Sequence, residues 1–168
     1  MKKLDCDFFK QDAKLVAQQL LGKYLCVNTG EKILRAKIIE TEAYYGSEDS
    51  ASHARFGQKG RSNVMWKEGG RIYVYLCYGL HNMINIVTGK LNEPSAVLIR
   101  GVEGAVGPGK VTKSMQISMQ DNDKLLGERV WIEEGNQLEF ECLPRVGINY
   151  ANEKDRVSLL RFVAKNIN

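Results

Sequence analysis

Long apolar runs are missing from this chain. No stretch approaches the roughly 20 residues that a membrane helix needs. The N-terminal Met1-Lys2-Lys3-Leu4-Asp5-Cys6-Asp7 lacks the apolar segment of a signal peptide. The expectation is a soluble, intracellular protein. Cysteine is sparse: Cys6, Cys26, Cys77 and Cys142 are scattered with no C-x-x-C pair. That spacing argues against a zinc cluster or a small-domain disulfide framework, and for reduced, mostly buried thiols. Only two histidines are present, and no H-E-x-x-H. Metal-assisted hydrolysis would have to rest on His53 with Glu48 and Asp49, a weak ligand set. Repeats, low-complexity tracts and linkers are absent, which leaves one domain over residues 1–168. At that length about 70% of the unfolded chain's surface can be buried. Charge of neither sign dominates: 24 Lys and Arg against 20 Asp and Glu leave a net +4. This mild bias is compatible with a phosphate-backbone partner and does not establish one.

What is present is a patterned series of short elements. Asp12 caps a helix running to about Leu21, with Ala13, Val16, Ala17, Leu20 and Leu21 on one stripe and Gly22 as its stop. Strands are expected at Tyr24–Asn28, Ile33–Tyr44, Arg71–Cys77, Met83–Thr88 and Ala96–Val102, mostly separated by Gly, Asn or Pro signals. Pro108 starts a helix over Gly109 to about Met119, and strands at Arg129–Ile132 and Leu138–Cys142 flank a Glu134-Gly135-Asn136 turn. Near-neighbour strands of this kind predict an antiparallel sheet in an α+β fold.

Chemistry concentrates on two strand ends. Glu40 and Glu42 close one strand, and alternation places both on the face of Leu34, Ala36 and Ile38 unless a bulge intervenes. A buried carboxylate needs a cation, and Arg100, ending Ala96-Val97-Leu98-Ile99, is the candidate. It could hold one carboxylate ionised beside a water; a plain buried Glu–Arg pair fits the spacing equally. On the second strand Tyr73 and Tyr75 share one face, and Ile72, Val74 and Leu76 share the other, apolar one. Tyr78 stands beside Gly79 at a turn, where a ring could project as a wedge into a base stack. His53, Arg55, Lys59 and Arg61 cluster in one glycine-bearing loop, while Lys110 and Lys113 follow a Gly-Pro-Gly turn. A carboxylate that activates water, beside stacking rings, suits cleavage of a glycosidic bond to a flat base.

In order along the chain, Leu20-Leu21-Gly22-Lys23, Glu40-Thr41-Glu42-Ala43-Tyr44, Glu48-Asp49 with His53 and Tyr73-Val74-Tyr75 through Tyr78-Gly79 form one series. Asn85-Ile86, Leu98-Ile99-Arg100, Gly107-Pro108-Gly109-Lys110, Arg145-Val146-Gly147-Ile148 and Arg161-Phe162 continue it. Over nearly its whole length the chain thus resembles the alkyladenine (3-methyladenine, or methylpurine) DNA glycosylases. The resemblance implies a single domain with a curved, mainly antiparallel sheet flanked by helices, acting without metal or organic cofactor on double-stranded DNA that contains damaged purines. It implies a base-excision repair enzyme that flips 3-methyladenine, 7-methylguanine, and by extension hypoxanthine or ethenoadenine, out of the duplex and hydrolyses the N-glycosidic bond. Residue by residue, Glu42 matches the general base, Arg100 a water-positioning residue, and Tyr44, His53 and Tyr75 the walls around the base. Asn85 matches the residue disfavouring guanine's 2-amino group, and Tyr78 the intercalating wedge. A monomer is expected, in the cytoplasm or nucleoid of a bacterium or the nucleus of a eukaryote. The alternative class is a non-catalytic nucleic-acid-binding module of the same fold.

Two stretches depart from the family pattern. Members often carry Thr-Pro-Arg-Asn where this chain has Lys59-Gly60-Arg61-Ser62-Asn63 before Met65-Trp66, and Leu160 replaces a proline before Arg161. The DNA-facing loop and the C-terminal edge are expected to differ accordingly, and the Arg100–Gly107 connection to be short.

Overall fold

A computed structural model describes residues 1–167. Nine strands are formed: β1 (Tyr24–Asn28), β2 (Ile33–Tyr45), β3 (Ile72–Cys77), β4 (His81–Val87), β5 (Ser95–Val102), β6 (Ala105–Val106), β7 (Val130–Glu133), β8 (Phe140–Leu143) and β9 (Arg161–Ala164). They join in the order β3-β4-β5-β2-β1-β7, with β6 on β5 and the β8–β9 pair against β2, every pairing antiparallel. The 13-residue β2 changes partner along its length: residues 33–37 pair with β1, and residues 38–45 with β5. One long strand serving two sets of neighbours forces the sheet to curl.

Four short helices flank it: α1 (Cys6–Phe9), α2 (Ala13–Gln19), α3 (Pro108–Ser114) and α4 (Glu153–Val157). Asp12 caps α2 by accepting from Lys14 N and Leu15 N at 3.0 and 3.2 Å. Ala13, Val16, Ala17, Leu20 and Leu21 drive the helix onto the sheet, where they are buried with Ile38, Ala43, Ile84, Ile99, Val111 and Phe162. Burial of this apolar face, at about 25 cal/mol per Å², holds α2 to the sheet.

The expected antiparallel α+β fold is what forms, with several local differences. The helix that begins at Pro108 ends at Ser114 rather than Met119, and Ser118 starts a separate 3-10 turn with a capping box closed by Asp121. The strands flanking Glu134-Gly135-Asn136 do not pair with each other: β7 pairs with β1, and β8 with β9. That segment instead packs on the end of α2, so closely that a Cβ on Gly22 would sit 1.9 Å from Asn136 O. Gly22 is therefore required by close approach as well as by its φ of +95°. Only Cys26 of the four free thiols is buried; Cys6 is exposed, and Cys77 and Cys142 are partly so. Cys6 opens the N-terminal turn α1, whose buried residue is Phe9.

A β-bulge in β2 decides the face of the two acids. The β2–β5 register shifts between Ile38 and Glu40 and again between Glu40 and Thr41. Leu34, Ala36 and Ile38 pack in the helix-side core, and so do Ala43 and Tyr45, which have the opposite parity. Thr41 Oγ1 likewise donates to Ala17 O of α2 at 2.8 Å. The extra residue thus separates Glu42 from the Leu34-Ala36-Ile38 face and turns it to the other side of the sheet. Gly101 faces Glu40 across this bulge, where a Cβ would lie 3.1 Å from Glu40 Cβ.

Candidate active site

The sheet face opposite α2 carries Glu42 and Tyr44 from β2, Tyr73 and Tyr75 from β3, Asn85 from β4, and Ala96 from β5. It is covered by a 3-10 turn at His53–Phe56 and another at Gly60–Trp66. Tyr73 is 1% exposed and packs with Ala54, Val64, Met65, Val87 and Ala96. The tyrosine face of β3 is thus a second core rather than an open amphipathic surface, and the outer residue of the supposedly apolar face, Leu76, is exposed.

Glu42 has no solvent exposure and is held on three sides. Tyr44 Oη donates to its Oε1 at 2.8 Å and Val146 N to its Oε2 at 2.7 Å. The Arg100 guanidinium approaches Oε1 to 3.8 Å, within Coulomb reach but beyond a hydrogen bond. Arg100 Nε binds Glu40 Oε1 instead at 3.1 Å, and Arg161 Nη1 reaches the same oxygen at 3.2 Å. Glu40 therefore anchors two arginines, while Glu42 forms no hydrogen bond to a cation and feels Arg100 and Arg145 only through space. Burial raises the Glu42 pKa above the ordinary carboxylate value, against the opposing pull of Arg100, the Val146 N–H, the Tyr44 hydroxyl and Arg145. A buried carboxylate with raised proton affinity is suited to take a proton from water.

Beside it a small pocket is lined by Tyr44, His53, Met65, Tyr75, Asn85 and Tyr150, among others. The His53 and Tyr75 rings meet edge to face, with centroids 4.5 Å apart. His53 Nδ1 lies 2.9 Å from Tyr73 Oη. Burial, then the nearby Arg61 and Arg55 charges, lower the His53 pKa to about 4, so its imidazole is neutral at neutral pH. Asn85 is buried, and its Nδ2 donates to Tyr73 O at 3.2 Å, which fixes the amide in the pocket wall. Glu42, Tyr44, His53, Tyr75, Asn85 and Arg100 are thus brought together by the fold.

Tyr78 stands apart from them. It occupies the tip of the β3–β4 hairpin, 93% exposed, with φ +52°, followed by Gly79 at +66°. A left-handed conformation is costly for a tyrosine, and nothing in the protein's own core repays it. Leu80 beside it is also exposed.

Residues given no role from sequence complete the site. Arg145 is buried and forms a bidentate pair with Asp49 at 2.6 and 3.0 Å, its guanidinium 4.8 Å from the Tyr44 ring. Tyr150 walls the pocket and donates to Ala51 O at 2.7 Å. Arg55 lies over the Tyr150 and Phe56 rings at 4.7 and 4.0 Å. In the sequence Arg145 stood out only as the start of one of the family-like blocks, and Arg55 only as part of a basic loop cluster, neither with a visible partner. Asp49, weighed as a metal ligand with Glu48 and His53, is committed to Arg145. Among the described residues no three His, Cys, Asp or Glu side chains converge at metal-binding geometry.

Comparison with known proteins identifies the family of the chain. The family described as methylpurine-DNA glycosylase matches residues 7–105 and 104–168. A relative from Borreliella afzelii (strain PKo) is 42% identical over 175 residues, covering 95% of this chain and 94% of its own length. One from Legionella pneumophila (strain Corby) is 40% identical over 177 residues, with 99% and 96% coverage. One from Psychrobacter cryohalolentis is 37% identical over 189 residues, with 93% and 89% coverage. All three are assigned by name as 3-methyladenine DNA glycosylases. The chain belongs to the methylpurine-DNA glycosylase family and is an enzyme of DNA repair. Among the described residues, no helix is long and apolar enough to cross a membrane.

Proposed function

We propose that the protein is a monofunctional, monomeric, intracellular glycosylase that removes alkylated purines, 3-methyladenine and 7-methylguanine first among them, from double-stranded DNA. The lesion is flipped into the pocket of Tyr44, His53 and Tyr75. Tyr78 enters the gap left in the stack, and Glu42 deprotonates a water that attacks C1′ of the sugar. The observation that supports this best is the buried Glu42, bonded to the hydroxyl of a ring that itself walls the pocket.

Alkylation at N3 or N7 leaves the purine cationic. A cation gains about 0.5 to 2 kcal/mol over electron-rich rings, and the charged base is also the better leaving group. A neutral His53 adds no repulsion to such a ligand. Arg100, tied to Glu40 and 3.8 Å from Glu42, keeps the general base ionised and helps position the water. Asn85, fixed by Tyr73 O, disfavours a base carrying a 2-amino group at that wall. Neutral lesions such as hypoxanthine or ethenoadenine lack the charge advantage and depend more on water activation, so they are the slower substrates. Flipping costs a few kcal/mol, least for a poorly paired base, which adds selection before chemistry.

The test is release of free base from a duplex containing one 3-methyladenine or 7-methylguanine, with and without chelator. Release unaffected by chelator is expected. A protein that binds the duplex and releases nothing would instead be a non-catalytic nucleic-acid-binding module of this fold.

A further inference from the structure

We infer that the buried Arg145–Asp49 pair is the positioning device of the active site, holding Tyr44 and the Val146 N–H on Glu42 and setting the charge environment in which that carboxylate works. This rests on the reading of Glu42 as the base.

The pair brackets Tyr44 along the backbone. Arg145 Nη1 donates to Ala43 O at 3.0 Å, and Asp49 Oδ2 accepts from Tyr45 N at 3.0 Å. Tyr44 is thus clamped at the residues before and after it, while the guanidinium also faces its ring at 4.8 Å. Asp49 Oδ1 accepts from Ala51 N at 3.0 Å, which ties in the segment leading to Ser52 and His53 of the pocket. On the other side Arg145 directly precedes Val146, whose N–H meets Glu42 Oε2 at 2.7 Å. Both hydrogen bonds to Glu42 therefore come from residues that this ion pair holds.

The arrangement is not what stability alone would select. The Arg145 side chain is completely buried, and its Nε has no partner. A buried pair with an orphaned donor gains little over a well-packed apolar replacement, so its presence here calls for another reason. The charge geometry supplies one. Facing Glu42 are Tyr44 and Glu40 from β2, Arg100 from β5, Arg161 from β9 through Glu40, Tyr75 from β3, and Arg145 with Val146 N–H from the segment before α4. Arg145 is among the charges that favour the ionised form of Glu42, and Asp49 offsets that charge.

Removing either partner should consequently move Glu42 in opposite directions, which a purely structural pair would not do. The experiment measures single-turnover excision rate constants from pH 5 to 9 on a duplex with one 7-methylguanine, together with the thermal midpoint of each protein. For the parent the rate should rise from acid pH to a plateau. In Asp49→Asn the midpoint of that acid limb should fall by about half a pH unit or more, because Arg145 is no longer neutralised. In Arg145→Gln it should rise by about as much. Plateau rates should fall about tenfold or more in both, and the double variant's midpoint should return toward the parent's.

Unchanged midpoints in both variants, with only the thermal midpoint lowered, would reduce the pair to a structural one and overturn the inference. So would a parental profile with no acid limb. If Arg145→Gln does not fold, Asp49→Asn decides alone: an unmoved limb overturns. Glu42→Gln serves as the separate control. Parental excision by that variant removes the reading of Glu42 itself, whereas an inactive Glu42→Gln with unmoved limbs sinks only the role of Arg145 and Asp49.

Discussion

Tyr44 Oη donates to Glu42 Oε1 across 2.8 Å, from two residues further along the same strand face. A ring that walls the pocket and the carboxylate proposed to activate water are therefore one rigid unit of β2. Displacing either moves the other, so under the proposed function binding of a flat base would be coupled to orientation of the catalytic carboxylate.

Glu42→Gln is expected to keep binding to lesion-containing duplex within a few-fold while excision falls by about 10² to 10⁴. The amide preserves the shape between Tyr44, Val146 N and Arg100 and loses the proton acceptor. Single-turnover excision within a few-fold of the parent would rule the assignment out.

Tyr75→Ala should lower excision of a cationic methylpurine by an amount corresponding to about 1 to 3 kcal/mol of lost stacking. Binding to undamaged duplex, dominated by phosphate contacts, should hardly change. Equal losses on damaged and undamaged DNA, measured by gel shift and single-turnover kinetics, would assign Tyr75 to the second core with Tyr73 instead.

Tyr78→Ala should leave the thermal midpoint within a degree or two, since the ring is 93% exposed and contributes little to the core. Tyr78→Gly should raise it slightly, because glycine accepts the φ of +52° without strain. Both should lower the flipped population reported by 2-aminopurine next to a lesion. An unchanged fluorescence response would remove the wedge role.

His53 titrates at about 4 in the folded protein, against an ordinary value of 6.5. Between these values the unfolded chain binds a proton that the folded one refuses, so this group destabilises the fold as pH drops from 6.5 toward 4 and has no effect above that window. The loss is on the order of 3 kcal/mol at pH 4. Urea unfolding at pH 7 and pH 4.5 should show a smaller decline for His53→Gln than for the parent. Equal declines would mean that another group dominates.

Much of the frame was legible because local rules and tertiary packing agree. The Asp12 cap and the runs that became β1, β3 and β5 lie within a residue of their expected bounds, and α2 keeps its expected stripe while ending at Gln19, two residues early, since each pairs an apolar period with a turn or cap signal. Elements with a weaker local signal were not foreseen. Strand β9 is four residues long with only two buried, and it exists because β2 and β8 offer edges on either side. The 3-10 turns at His53–Phe56 and Gly60–Trp66 carry no amphipathic period and are held by the tyrosine face they cover.

The sequence by itself determined the chemical inventory of the site and the strand ends that bear it. Glu40, Glu42, Tyr44, Tyr75 and Arg100 could be singled out because an acid, a cation and rings on apolar strands are costly unless partnered. How each acid is oriented and partnered was decided only in three dimensions. The bulge in β2, invisible in a pattern of side chains, turned Glu42 away from the Leu34 face, and Arg100 together with Arg161 neutralised Glu40. The clamp of Arg145 and Asp49 joins residues 96 positions apart. No periodicity or spacing encodes such a contact, because chain closure over that distance is set by the path of the whole sheet.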